Sequence, residues 1–388
     1  MTLSKKEARH IILSSHSMLY ENGAGKTGLV EVVNRLGYLQ FDTIHLFMRA
    51  HHHTLWNRLK DYRPEWLDEA QKVDRNLFEY WSHAASVIPM EHFRFALPRM
   101  KRIEKDGKFW FDKIPDVSEK VLEVITGEGA KRARDFKDDG HRGSWWDWKP
   151  AKIALQYLQM AGTLSVSHRE GFEKVYDLTE RIVPSSIDTS MPSEEESAEY
   201  LIITRLRAEG LLSLGGITYL RQDGTAGVKK KLAEFLEEGQ VFKAEIENAG
   251  VYYGLTDPLT GVGGGFDNQG TRKPKVKILS PFDNLVIIRD RLERIFDFKL
   301  YLECYLPAEK RRFGYFAQPI LYGTEFVGKI DFKIAGKTAI VRNIELERRK
   351  GLTESFRREW KNIMKARGVE ETLFAEKTGD KMKLFAAG

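Results

Sequence analysis

In the stretch Leu39-Gln40-Phe41-Asp42-Thr43-Ile44-His45, an amide and a carboxylate stand two residues apart inside an otherwise apolar run. Spacing alone leaves two readings of the carboxylate open. Asp is a favoured N-cap, so Asp42 would close the free N–H groups of a helix beginning at Thr43-Ile44. Alternatively, a helix resuming after Asp42 puts Asp42, His45, Arg49, His52 or His53, and Trp56 on one face by steps of three and four; that face carries an acid, cations and an aromatic ring. The run His51-His52-His53 invites a metal. Consecutive histidines point to different helix faces, however, no Glu stands at zincin spacing and Cys304 is far away in sequence, so no metal is expected.

Other clusters are weighed the same way. Gly25-Lys26-Thr27 ends like a phosphate-binding loop, but that pattern needs glycine where Tyr20 stands. The tract from Gly261 to Phe266 fails the dinucleotide fingerprint at Phe266, and both stretches read as loops. Trp145, Trp146 and Trp148, followed by Lys149 and Lys152, combine aromatics with cations where a helix should begin, which suits phosphate contacts, with at least one Trp taken into the core. Lys229-Lys230-Lys231 is either a further phosphate contact or a solvated face.

Elements must hold these residues. The chain has 388 residues, 42% of them hydrophobic, enough for two to four domains with cores of their own. Its single cysteine, Cys304, excludes an intramolecular disulfide framework, and no apolar run reaches the roughly 18 residues that span a bilayer. The start MTLSKKEARH has no apolar signal core, so a cytoplasmic, nucleoid-associated protein is expected. A net charge of +6 and a pI near 9.0 favour an acidic partner such as nucleic acid, although 56 acidic residues balance most of the 62 basic ones.

Periodicity then divides the chain into modules. Ser4 and Glu7 form a capping-box pattern ahead of a helix, Leu29 to Leu36 reads as a second helix stopped by Gly37, and Tyr38 to Phe41 reads as a strand. Helix, helix, strand is how a winged helix begins. The grammar returns with helices at Val117 to Thr126 and Ala130 to Phe136, a helix opening at Lys149-Pro150, and strands Thr163 to His168 and Phe172 to Leu178. There the last helix would be the recognition helix, and the hairpin a wing with His168-Arg169 at its tip. A third copy runs from Ser193 and Glu196 through a helix at Val228 to Leu236 to strands Val241 to Glu247 and Val251 to Leu255. From Lys275 short β-rich segments, including NLVIIRD and LYLECYL, suggest a small antiparallel barrel closed by a helix at Leu352 to Arg367.

The strings LGYLQFDTI, RAHHHTLWNRL, LFEYWSHAASVIPM, GSWWDWKPAKIALQYL, EGFEKVYDLTERIVP, LSPFDNLV and CYLPAEKRRFGYF, in that order, resemble the winged-helix DNA glycosylase family that unhooks interstrand crosslinks and excises N7-alkylated guanines. The likeness runs from the first helix to about Ile344 and is weaker from Met191 to Arg272. It implies an α+β fold of tandem winged-helix units with a small C-terminal antiparallel β-barrel: 1–115 and 116–190 as the first two units, 191–260 as the third and 275–388 as the barrel with its helix. It further implies a Gln-x-Asp catalytic motif at Gln40 and Asp42. His52, His53, Trp56 and Arg58 would line the site or touch DNA, as would Trp145, Trp146, Lys149, Lys152, His168 and Arg169.

The expected chemistry is compatible. Alkylation at N7 leaves guanine cationic and ready to depart; what remains is the positive charge developing on the deoxyribose, which a fixed carboxylate stabilises and a positioned water traps. Asp42 would supply both the charge and the base, and Gln40 would hold the water. The expectation is therefore a monofunctional DNA N-glycosylase acting on duplex DNA, with no cofactor, no metal and no membrane, as a monomer. The rivals are a winged-helix transcription regulator and a non-catalytic lesion binder, which the modular architecture alone would equally support. Asp283 and Arg289 are expected to pair with each other and close the barrel; Lys310, Arg311 and Arg312 are either phosphate contacts or an exposed turn.

Overall fold

The structure, a computed structural model, describes residues 1–19, 25–107, 117–136, 150–221, 225–256, 274–375 and 378. It opens with β1 (Thr2–Leu3), α1 (Lys5–Ser15), α2 (Gly25–Leu36), β2 (Leu39–Gln40), α3 (Ala50–Trp56), α4 (Glu65–Lys72), β3 (Leu77–Trp81) and β4 (Ala85–Pro89). In α2, Leu29, Val32, Val33 and Leu36 recur at helical spacing and bury against Leu39, Leu55 and Val87. Each such side chain contributes roughly 1.5–3 kcal/mol on burial. Gly37, at φ +74°, stops the helix in a conformation that a side chain would resist, and the chain enters β2 directly. β2 pairs with β4, giving the order β2-β4-β3.

The Ser4–Glu7 capping box forms as its spacing requires. Its helix goes elsewhere, however: Ala8, Ile11 and Ile12 of α1 pack with Ala244, Ile246, Leu285 and Leu292 instead of against α2.

After α5 (Leu97–Asp106) come α6 (Ser118–Glu128), β5 (Lys131–Arg132), α7 (Pro150–Met160), β6 (Leu164–Glu170) and β7 (Glu173–Leu178), with sheet order β5-β7-β6. The expected helix over Ala130 to Phe136 is absent. Lys131 and Arg132 pair with Tyr176 and Val175, so the chance to extend a sheet outweighs local helix preference. A third group comprises α8 (Thr179–Ile182), α9 (Glu194–Glu209), α10 (Leu214–Ile217), α11 (Val228–Glu237), β8 (Val241–Ile246) and β9 (Gly250–Leu255). Its sheet is β1-β8-β9, with β1 parallel to β8 and Leu212 bridged to Tyr253 on the far side. In all three groups a short stretch between helices thus lies beside the last strand.

The remainder contains β10 (Val276–Ile278), α12 (Arg289–Phe296), β11 (Gln318–Tyr322), β12 (Glu325–Ala335), β13 (Thr338–Leu346), α13 (Leu352–Ala366) and β14 (Glu371–Phe374). The five strands run in the order β10-β11-β12-β13-β14, and among the described residues they form an open sheet, not the expected closed barrel. Helix α13 covers it, burying Leu352, Phe356, Trp360 and Ile363 against Ile278, Ile330, Phe332 and Val341. Two segments read as strands are not strands. Asp283 accepts the Leu285 N–H at 3.0 Å and starts a 3-10 turn that leads into α12. Glu303 turns its carboxylate inward to accept the Phe313 and Gly314 N–H groups at 2.9 and 3.0 Å, which folds LYLECYL into a braced loop. Among the described residues no helix is long and apolar enough to cross a membrane.

A buried charged hub ties these layers together. Arg58 grips Asp283 with two hydrogen bonds of 2.7 and 2.8 Å and also donates to the His16 and Thr54 carbonyls. Next to it Glu209 receives His16, Arg205 and Arg291.

Candidate active site

Burial alternates along β2 and its continuation: Leu39 and Phe41 point into the core, while Gln40 and Asp42 are half-buried on the opposite face. The backbone is fixed there by pairing of Gln40 with Ser86 and by the Phe41 N–H donated to the Ala85 carbonyl at 2.8 Å. Two residues apart on an extended chain is therefore the spacing that puts amide and carboxylate side by side.

Each is held by a different neighbour. Gln40 Oε1 lies 3.1 Å from Nε2 of His83 in the β3–β4 turn. Burial, then the charges of Arg221 and Arg205, push the His83 pKa down to about 4, so the ring is neutral at pH 7 and Nε2 carries the donated proton. The Gln40 N–H groups then remain for another acceptor. Asp42 Oδ1 accepts the Ile44 N–H at 2.7 Å in a local side-chain turn. Burial raises the Asp42 pKa; the Ile44 N–H and the positive charge of Arg49 oppose that rise.

Aromatic and cationic side chains form the floor. Arg49 lies over the Phe172 ring at 3.7 Å, and Arg169 lies 4.3 Å from the Phe41 centroid and 4.4 Å from that of Phe172. Phe172 belongs to the β6–β7 turn, so the hairpin of the second group props the strand that carries Gln40 and Asp42. Arg169, expected at a free wing tip, is instead locked inward: it donates to both oxygens of buried Glu79 at 2.8 and 2.7 Å. His168 is mostly covered, its Nδ1 3.2 Å from Ser167 Oγ.

No helix resumes after Asp42. Residues 42–49 are irregular and α3 starts only at Ala50, so Asp42 neither caps a helix at Thr43-Ile44 nor shares one helix face with His45, Arg49 and the histidines. His52 Nδ1 lies 2.7 Å from the Tyr62 hydroxyl, and the charges of Arg49 and His45 act on its ring. His53 turns away: its Nε2 lies 2.8 Å from the Ile278 carbonyl, its ring packs on Phe47, and burial pushes its pKa down to about 4. Trp56 also packs towards Phe47. Arg58 is wholly buried in the Asp283 pair and does not reach a DNA-facing surface. Asp283 thus pairs with Arg58 and not with Arg289, which donates to the Val286 and Pro281 carbonyls. Among the described residues no group of three or more His, Cys, Asp or Glu could hold a metal.

The remaining sequence candidates scatter. Lys152 is exposed on the first turn of α7, while Trp145, Trp146 and Lys149 lie outside the described residues. Lys26 pairs with Glu69 and Asp74. Lys231 pairs with Glu195 and Glu234.

One neighbour had no signal in the spacing. The Glu303-braced loop borders Asp42, whose charge helps raise the pKa of the Cys304 thiol and the Tyr305 phenol, after burial as the larger cause for each. Tyr305 is 73% exposed and is flanked by exposed Tyr301 and Leu306. Lys310 and Arg312 are exposed on the same loop, whereas Arg311 is used within it, donating to the Glu303 and Leu306 carbonyls.

A half-exposed carboxylate and a ring-oriented amide on a strand edge suit hydrolysis in which charge develops on the substrate. A family model described as DNA glycosylase AlkZ-like matches residues 33–366, and the chain belongs to that family; it is a DNA repair glycosylase, a hydrolase whose substrate is DNA. Among solved structures, Streptomyces sahachiroi DNA glycosylase AlkZ is similar, with a TM-score of 0.64 and 14% sequence identity over 97% of this chain and 100% of that one. At that identity the likeness is one of fold.

The Asp42 environment makes a pH prediction. If Asp42 acts as the ionised base, then, because burial raises its pKa, the single-turnover rate should fall with acidity through a value above the ordinary aspartate range. A rate flat down to the ordinary value, with the protein still folded, would remove Asp42 from the chemistry.

Proposed function

We propose that this protein is a monofunctional glycosylase that hydrolyses the N-glycosidic bond of N7-alkylguanines in duplex DNA, with crosslinked guanines among its substrates. The observation that carries the reading is the pairing of Gln40 and Asp42 on one edge of β2, each fixed by a different partner and both partly open to solvent. The C1′–N9 bond breaks with its electron pair leaving on the base, which neutralises the base's positive charge. Asp42 stabilises the oxocarbenium-like sugar. Gln40 holds a water with its free N–H side; the water attacks C1′ and its proton passes to Asp42. The products are free base and an abasic site in an uncut strand.

An open edge also suits a base tethered to both strands, which cannot be swung into a deep pocket. Gripping the duplex falls to three winged-helix units, 1–115, 116–190 and 191–260, together with 275–388. The recurring placement of a short stretch beside the last strand supports this division. Lys152 on the first turn of α7 would meet phosphate, as would Trp145, Trp146 and Lys149 just ahead of it in sequence, and the protein would act as a monomer without cofactor. His52, near Arg49, is the member of the histidine run best placed to border the lesion.

A duplex with one N7-methylguanine, incubated with the protein and resolved before and after alkali, tests the reaction class. A break that appears only after alkali is the expected result. A break before alkali would overturn the monofunctional reading, and no break in either lane would overturn excision of this lesion.

A further inference from the structure

The loop bordering Asp42 carries apolar side chains that the fold does not use. Leu302, Cys304 and Tyr315 pack with Ile44 and Leu46 around buried Phe282 and Phe316, so this loop and the segment that follows Asp42 share one small core. Ile44 is also the residue whose N–H holds the Asp42 carboxylate. The negative charge of Asp42 in turn acts on Cys304 and Tyr305. Packing and charge thus agree in setting the loop beside the carboxylate.

The loop is also stiff. A 3-10 turn runs from Glu303 to Tyr305, and the Leu306 N–H donates to the Glu303 carbonyl at 3.0 Å. Arg311 Nε donates to the Glu303 and Leu306 carbonyls at 3.2 and 2.9 Å, while the Glu303 carboxylate accepts the Phe313 and Gly314 N–H groups. Pro307 further restricts the backbone at Leu306. Within this braced stretch Tyr305 and Leu306 nevertheless stay exposed, as does Tyr301 before them. An aromatic ring held out by a fixed backbone is preorganised for a flat partner, because little conformational freedom remains to be lost on binding. Lys310 and Arg312, exposed on the same loop, add positive charge that suits the phosphates of a duplex.

The chemistry of the ring says which part of the duplex it prefers. The face of a phenol ring is electron-rich and attracts a cation lying within about 6 Å of its centroid. A guanine alkylated at N7 is both flat and positively charged, whereas ordinary guanine is flat and neutral. A tyrosine beside a carboxylate therefore offers the alkylated base an attraction that undamaged DNA cannot share.

We propose that Tyr305 stacks on the alkylated base and selects it by its positive charge. The proposal rests on the reading of N7-alkylguanine as the substrate, and it adds the residue that tells this base from its neutral neighbours.

Anisotropy on the full chain, with two duplexes as probes, is the test. One carries 2′-fluorinated N7-methylguanosine, whose electron-withdrawing fluorine opposes cleavage; the other carries equally fluorinated 7-methyl-7-deazaguanosine, which has the same shape and no charge. The wild type should bind the cationic base about tenfold more tightly than the neutral one. Tyr305→Ala should cut that preference roughly fivefold or more at an unchanged melting temperature, and Tyr305→Phe should keep it. Equal binding of the two duplexes by the wild type, or an undiminished preference in Tyr305→Ala, would overturn the proposal. Release of base from the unfluorinated lesion by the wild type, followed in parallel, judges the substrate reading separately. Normal release together with an undiminished preference in Tyr305→Ala sinks the stacking role alone; no release, with a preference that Tyr305→Ala removes, sinks excision alone and supports the stacking.

Discussion

Asp42→Asn should release base from an N7-methylguanine duplex about 10²- to 10⁴-fold more slowly than the wild type, the range associated with a lost catalytic base or charge stabiliser. The substitution keeps size and an oxygen to accept the Ile44 N–H, so the local turn survives. On the proposed mechanism, what disappears is the negative charge facing the sugar and the group that takes the water's proton. Binding should be unchanged or tighter, because a negative charge beside a phosphate backbone opposes association. Duplex affinity by anisotropy and single-turnover release, measured on one preparation, check both halves. Equal loss of affinity and rate would point to a disturbed surface instead of a missing catalyst.

The second large effect concerns stability. Arg58→Ala should destabilise the fold by about 3–5 kcal/mol, the usual consequence of stranding one buried partner of an ion pair. Both side chains are fully covered, and Arg58 also donates to the His16 and Thr54 carbonyls, so the variant orphans several acceptors at once. Arg58→Met with Asp283→Leu, which leaves no lone charge, should recover much of the loss. Urea unfolding of the three proteins reads this directly. The pH dependence has a definite sign: Arg58 holds the Asp283 carboxyl below its usual range despite the opposing pull of burial. The pair's contribution is therefore fully present above the unfolded-state pKa and disappears as pH falls through the lowered one. If Arg58→Ala unfolds like the wild type but loses DNA affinity, the buried assignment fails.

Local grammar was legible wherever it agrees with tertiary packing. The capping boxes at Ser4–Glu7 and Ser193–Glu196, the α2 stripe ended by Gly37, and the hairpins around residues 171 and 248 follow from cap, period and turn residues within a few positions. It failed where distant partners decide. Lys131-Arg132 becomes a strand because β7 offers an edge, and LYLECYL becomes a loop because Glu303 binds amides ten residues away. The same division runs through the site. Gln40 and Asp42 stood out as polar residues in an apolar run, but nothing near them in sequence announced His83, Phe172 or Tyr305. Charge type misled most. Arg58 and Arg169 read as DNA contacts, and each is spent on a buried carboxylate, Asp283 or Glu79, that lies far away along the chain. The open sheet was beyond reach for a related reason: strand count and spacing do not reveal whether the first and last strands meet.

The most direct measurement is the time course of free N7-methylguanine appearing from a duplex that carries one such base, with wild-type protein in excess. A single exponential that runs to completion and leaves one abasic site per lesion in an unbroken strand is expected. Firm binding of that duplex with no free base at any time would contradict it, and would leave a protein that holds DNA without cutting the glycosidic bond.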